Sequence, residues 1–180
     1  MNGKLWLLLA MLLLIAIPTS VSHNHLTDAS PLVIAHRGAS SLTPENTMAA
    51  VHAALDLGVD MVEVDVHRSM DGELVVIHDG TVTRTTNGTG AVNRFTLADL
   101  KKLDAGSWFD TSFESERIPT LREVLEAAKD RATVLIELKG ERTEVRTVEL
   151  VRELGMSGQV VIQSFDFQQI QKAKQKAPEI

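Results

Sequence analysis

From residue 32 onward the chain alternates short apolar runs with stretches whose apolar residues recur at helical spacing. Residues 32–35 are a continuous apolar run, the pattern of a parallel strand buried on both faces. Thr43, Pro44 and Glu45 read as N-cap, first helical residue and first-turn acid of a helix that continues through Ala49, Ala50, Ala53, Ala54 and Leu57 and stops at Gly58. A second strand follows over residues 60–67 and a third, again apolar, over 74–79. Thr120 and Glu123 form a capping box for a helix carrying Leu121, Val124, Leu125 and Ala128. Residues 133–140 are a fourth strand, Val145, Val148, Val151 and Leu154 mark a helix closed by Gly155, and 160–165 are a fifth strand before a last helix begins. The stretch 80–118 is rich in Thr, Asn, Gly and Asp; it is expected to form a rim or lid, with one short helix over 96–103 and Trp108, Phe109 and Phe113 as apolar anchors.

Strand, helix, strand at this spacing is a right-handed βαβ unit, so the sheet is parallel and its working end lies at the strand C-termini. Either an open doubly wound sheet or a (β/α)8 barrel fits. The absence of a Gly-rich loop after the first strand lowers the former. One connection stays open. Asp71-Gly72 between the second and third strands is a hairpin signal, which would carry His78 to the far end of the sheet from Glu63. Extended residues at about 3.3 Å each would instead run back along the sheet wall.

The chemistry sits where the apolar pattern is interrupted. On the second strand Val62, Val64 and Val66 point one way while Glu63 and Asp65 point the other. Adjacent carboxylates repel unless a cation lies between them, and hard oxygen donors on a rigid strand suit Ca²⁺ or Mg²⁺. A half-buried strand with a solvated acidic face is the plain alternative. The fourth strand repeats the arrangement with Glu137 and Lys139, which a solvated surface does not explain. His36, Arg37 and Gly38 end the first strand as an anion-handling corner, and His78 ends the third. His52 reads as a surface residue, and His67 as a rim residue at best.

Composition narrows the setting. A length of 180 residues with 44% hydrophobic content suffices for one domain with a core. Residues 1–22 have Lys4, an apolar run to Ile17, then Pro18 and small residues, the pattern of a secretory signal cleaved after Ser22; residues 23–30 read as a polar linker. The expectation is an exported protein, periplasmic or extracellular, with no stable membrane span after cleavage; an uncleaved anchor is the alternative. There is no Cys, hence no disulfide and no thiolate ligand. A net charge of -6 without a basic block argues against nucleic acid or an anionic membrane surface as main partner.

The motifs His36-Arg37-Gly38, Pro44-Glu45-Asn46-Thr47, Glu63-Val64-Asp65, His78-Asp79, Arg84-Thr85-Thr86-Asn87-Gly88, Pro119-Thr120-Leu121, Glu137-Leu138-Lys139 and Gln163-Ser164-Phe165, in this order, resemble the glycerophosphodiester phosphodiesterase family, of the barrel superfamily of phosphatidylinositol-specific phospholipase C. The resemblance runs from about residue 32 to the last. It implies a TIM barrel, here shortened to roughly the first five of eight strands, with residues 31–180 as an incomplete catalytic domain and 80–118 as an insertion. It also implies that the second and third strands are both barrel strands joined without a helix. By this resemblance Glu63, Asp65 and Glu137 hold a divalent metal, Ca²⁺ or Mg²⁺; Arg37 and Lys139 bind the substrate phosphate; His36 is general base and His78 general acid; and Glu45 braces His36 or the metal site. The implied reaction is metal-dependent hydrolysis of a small glycerophosphodiester to glycerol 3-phosphate and an alcohol. A lipid-cleaving relative, using an apolar rim of Trp108, Phe109 and Phe113, and an inactive fragment or phosphodiester-binding module are the alternatives.

Overall fold

The computed structural model describes residues 31–180, so the expected signal and linker lie outside the described residues. The elements run β1 (Ile34–Ala35), α1 (Met48–Asp56), β2 (Met61–Arg68), β3 (Leu74–Val76), α2 (Leu97–Leu100), α3 (Leu121–Ala128), β4 (Thr133–Leu138), α4 (Glu144–Glu153), β5 (Val160–Gln163) and α5 (Phe167–Lys176). β1, β2, β4 and β5 form a parallel sheet in that order, and β3 pairs antiparallel with β2. No helix among the described residues is long and apolar enough to cross a membrane.

The outer face of the sheet carries Val62, Val64, Val66, Val134, Ile136 and Leu138, packed against Val51, Ala54 and Leu55 of α1, Leu121, Val124 and Leu125 of α3, and Leu150 and Val151 of α4. Thr120 and Glu123 form the expected capping box at α3. A second core of Val75, Ile77, Val82, Val92, Leu100, Ala105 and Ile118 lies under the segment 80–118 and fastens it to β3. Ile118 and Leu100 are the anchors of that segment; Trp108 and Phe109 are 41% and 38% exposed and stack edge-to-face on their own neighbours.

Three further expectations are corrected. First, the run 32–35 is not buried on both faces: β1 is an edge among the described residues, and Leu32, Val33 and Ile34 are exposed. Second, α1 begins at Met48 with Thr47, not Thr43, as N-cap. Asn46 takes a left-handed φ of 55°, which breaks the helix before it and which Asn tolerates better than most residues. Third, β3 is not a barrel strand running alongside β2. It is the return arm of a hairpin, with Val66 opposite Val76 and Arg68 opposite Leu74, so the sheet has four parallel strands rather than five.

The hairpin nevertheless keeps His78 at the rim. β4 pairs with β2 only as far as Val66, so the hairpin lies beyond the end of the parallel sheet. A return arm of three residues brings the chain back no farther than Asp65, whose carbonyl accepts from the Ile77 amide at 3.0 Å.

The corner after β1 is equally constrained. Gly38 has φ 75°, donates its amide to the Glu63 carbonyl at 3.1 Å, and leaves room for no Cβ, which would stand 2.7 Å from the Ala50 carbonyl carbon. Gly38→Ala is expected to cost about 1–3 kcal/mol, read as a lower thermal midpoint. Gly158→Ala, where an added Cβ meets nothing within 4 Å, serves as the control and should stay within about 0.5 kcal/mol of wild type.

Candidate active site

Register brings the acids together. Asp65 on β2 is the direct partner of Glu137 on β4, and Glu63 precedes Asp65 by one inward-facing step, so the three carboxylates share one face of two neighbouring strands. Their oxygens lie within 4.8 Å of one another, and all three residues are buried. Glu63 Oε1 and Asp65 Oδ1 have no hydrogen-bond partner. Buried anionic oxygens left bare are costly unless a cation takes them, and an all-carboxylate set matches a hard divalent ion. The residues present therefore fit a divalent metal.

Two cations flank the acids. Arg37, at φ 56°, donates its amide to Glu63 Oε2 at 2.6 Å and places Nε 3.5 Å from Asp65 Oδ2. Lys139 Nζ lies 3.2 Å from Glu137 Oε1, 3.9 Å from Asp65 Oδ1 and 5.8 Å from the Phe165 ring centroid. Burial first, and then the Asp65 charge beside it, push the Glu63 carboxyl up to about 7.

The imidazoles stand on either side. His36 is exposed, its Nε2 3.9 Å from Glu63 Oε2. His78 holds Nε2 3.2 Å from Lys139 Nζ and Nδ1 2.7 Å from Asp79 Oδ1. All of the residues expected from sequence thus meet at one rim, with one change of role. Glu45 braces neither His36 nor the carboxylates; it accepts from Arg37 Nη1 at 2.9 Å and from Arg84 at 2.8 and 3.0 Å. Burial alone would raise Glu45, but the two guanidinium groups hold it below the ordinary range. His52 is exposed as expected, and His67 is half-buried, its Nε2 3.1 Å from the His78 carbonyl oxygen.

Three residues without an expected role belong to the site. Asn46 donates to Asp65 Oδ2 at 2.8 Å and accepts the Asp65 amide at 3.2 Å, fixing that carboxylate from both ends. Asp79 and Arg84 pair at 2.8 and 3.0 Å and flank His78. Each stood within a quoted motif, so the signal was present. What was missing was the left-handed turn at Asn46 and the fold of the segment that carries Arg84.

Carboxylates, imidazoles and cations gathered at the C-terminal ends of parallel strands are the equipment of a barrel-type enzyme. The chain belongs to the glycerophosphoryl diester phosphodiesterase family, whose pattern matches residues 36–180. It is 46% identical over 155 residues to a glycerophosphodiester phosphodiesterase of Caldanaerobacter subterraneus, an alignment covering 83% of this chain and 64% of that protein. The crystal structure of a glycerophosphodiester phosphodiesterase from Agrobacterium tumefaciens superposes with a TM-score of 0.80 at 43% identity, over 84% of this chain and 65% of that one. A phosphodiesterase from Oleispira antarctica, solved in complex with the product sn-glycerol-3-phosphate, gives 0.78 at 39% identity over 83% and 64%. The four parallel strands and their helices are thus part of a TIM barrel, left open among the described residues, and the chain spans under two-thirds of the length of these relatives.

The raised Glu63 makes a stability prediction for protein kept free of divalent ions. An ordinary Glu releases its proton near 4.5, so between there and about 7 the folded chain holds a proton that the unfolded chain has lost. The stability tied to that proton is complete below pH 4.5 and drains away as the pH rises to 7, by about 3 kcal/mol at most. Urea unfolding of wild type and Glu63→Gln in chelator should therefore show the variant gaining on wild type from pH 5 to pH 8. A constant difference would contradict the buried-carboxyl account.

Proposed function

We propose that this chain carries the reacting groups of a metal-dependent glycerophosphodiester phosphodiesterase, releasing glycerol 3-phosphate and an alcohol. The observation that carries the reading is the set Glu63, Asp65 and Glu137, with oxygens within 4.8 Å, bordered by two imidazoles and two cations. Family membership supports it, and so does the product bound to the Oleispira relative. The three carboxylates would hold Ca²⁺ or Mg²⁺, which when bound supplies charge stabilisation to the phosphoryl oxygens.

The chain's own groups do the rest. The Arg37 guanidinium and the Lys139 ammonium take up phosphate charge, the first as a planar fork and the second as a point charge. In this proposal the proton order is opposite to that expected from sequence. His78 presents Nε2 to an ammonium, a donor, so that nitrogen is suited to accept. With Lys139 turned to the phosphate charge, the freed Nε2 lone pair of His78 takes the proton of the attacking hydroxyl, from water or from a neighbouring substrate hydroxyl, as its oxygen bonds to phosphorus. The bond to the leaving oxygen breaks with its electron pair on that oxygen, which receives a proton from His36. Export of the protein, read from residues 1–22, is part of the same proposal.

Purified full-length protein should release alcohol from a glycerophosphodiester only when a divalent cation is supplied, and His36→Gln and His78→Gln should each lower turnover by about 10²–10⁴-fold. Ca²⁺ should raise the thermal midpoint of wild type and leave Glu63→Ala/Glu137→Ala unmoved. Turnover and cation response that survive the double substitution would refute the ligand assignment. Faster cleavage of a substrate carrying long acyl chains would move the assignment to the lipid-cleaving branch.

A further inference from the structure

We infer that Asp79 and Arg84 are positioning residues that fix the tautomer of His78, with the proton on Nδ1 and the lone pair on Nε2. The inference rests on the hydrolytic reading for its purpose, but not for its geometry. His78 lies between two partners of opposite character. At 2.7 Å from Nδ1 stands a carboxylate oxygen of Asp79, and at 3.2 Å from Nε2 stands the ammonium of Lys139. An ionised carboxylate only accepts and an ammonium only donates, so a single neutral form of the ring satisfies both. Neutral imidazole free in water prefers the opposite tautomer, so the site must impose this one.

Arg84 keeps Asp79 in that role. Its Nε donates to Asp79 Oδ2 at 2.8 Å and its Nη2 to Oδ1 at 3.0 Å, and these bonds hold the Asp79 carboxyl well below the ordinary range. The same guanidinium donates to both oxygens of Glu45, at 2.8 and 3.0 Å, and Glu45 accepts from Arg37. A continuous chain Arg37–Glu45–Arg84–Asp79–His78 therefore ties the phosphate-facing corner after β1 to the end of β3. Arg84 reaches it from the segment 80–118, which the second core holds in place. Planar forks on Arg and fixed oxygens on the acids make such a chain directional, so a Lys at position 84 would keep the charge and lose the two-sided grip.

The test reads the ring itself. Full-length protein labelled with ¹⁵N-histidine, at a pH where imidazole is neutral, gives the tautomer by long-range proton–nitrogen correlation, with the His78 signals assigned by loss in His78→Gln. Wild type should show Nδ1–H. In Asp79→Asn, Arg84 claims the amide oxygen and the NH₂ group faces His78, so the signals should move to Nε2–H; Arg84→Ala should move them partway. Where wild type turns over a glycerophosphodiester, Asp79→Asn should lower kcat by roughly 10–100-fold with KM little changed. An Nε2–H wild-type ring, or a ring indifferent to Asp79→Asn, overturns the inference whatever the activity. An inactive wild type with the Nδ1–H ring overturns the hydrolytic reading and leaves the tautomer assignment standing.

Discussion

Three acidic side chains crowded into a water-poor pocket repel one another, and most of the surrounding structure answers that repulsion. The strand pairing that sets Asp65 opposite Glu137 cannot be relaxed without unzipping β2 from β4, so the charges are held together by the backbone ladder rather than by mutual attraction. The local responses are visible one by one: a raised Glu63, an Arg37 amide turned inward, a Lys139 between two acids, and an Asn46 clasping Asp65. Two oxygens remain bare after all of these. The protein alone leaves the pocket short of positive charge, the condition under which a divalent ion binds because it removes a penalty already present.

A second electrostatic layer surrounds the first and behaves differently. Glu45, Arg84 and Asp79 are more exposed, alternate in sign, and satisfy each other almost completely. Exposed pairs of this kind contribute little to stability, about 1 kcal/mol or less apiece. Their value lies in geometry, since planar groups locked edge to edge leave little freedom to the side chains they touch. The inner layer is thus poised to bind and the outer layer to aim. The two meet at Arg37, which contacts both Asp65 and Glu45.

Much of this was legible in the residues. Val-Glu-Val-Asp-Val and Ile-Glu-Leu-Lys announce inward charges on apolar strands by alternation alone, and both occur as expected. The capping box at Thr120 needed only two residues three apart. What local pattern does not encode is where an element lies relative to others. Residues 32–35 read as an interior strand because apolarity reports a preference for burial, not the presence of a neighbour to provide it. Thr43 and Thr47 both have N-cap chemistry, and the choice fell to Asn46, whose left-handed turn serves Asp65, a residue far along the chain. Asp71-Gly72 did announce a hairpin. The error lay in assuming that the arms would be as long as the barrel strands.

That short hairpin has a further consequence. The rim position of His78 depends on the pairing of a short return arm with β2, Val76 facing Val66 and the Ile77 amide reaching the Asp65 carbonyl, and not on the length of the loop that joins the two arms. Chain added or removed within the tip between Ser69 and Glu73 would be absorbed as long as Val66 still faces Val76. A shift of that pairing by a single residue would turn the imidazole to the opposite side of the strand. Length variation among related chains should accordingly gather at the tip and spare the arms, making the projection the most permissive boundary of the site on one side and the least permissive on the other.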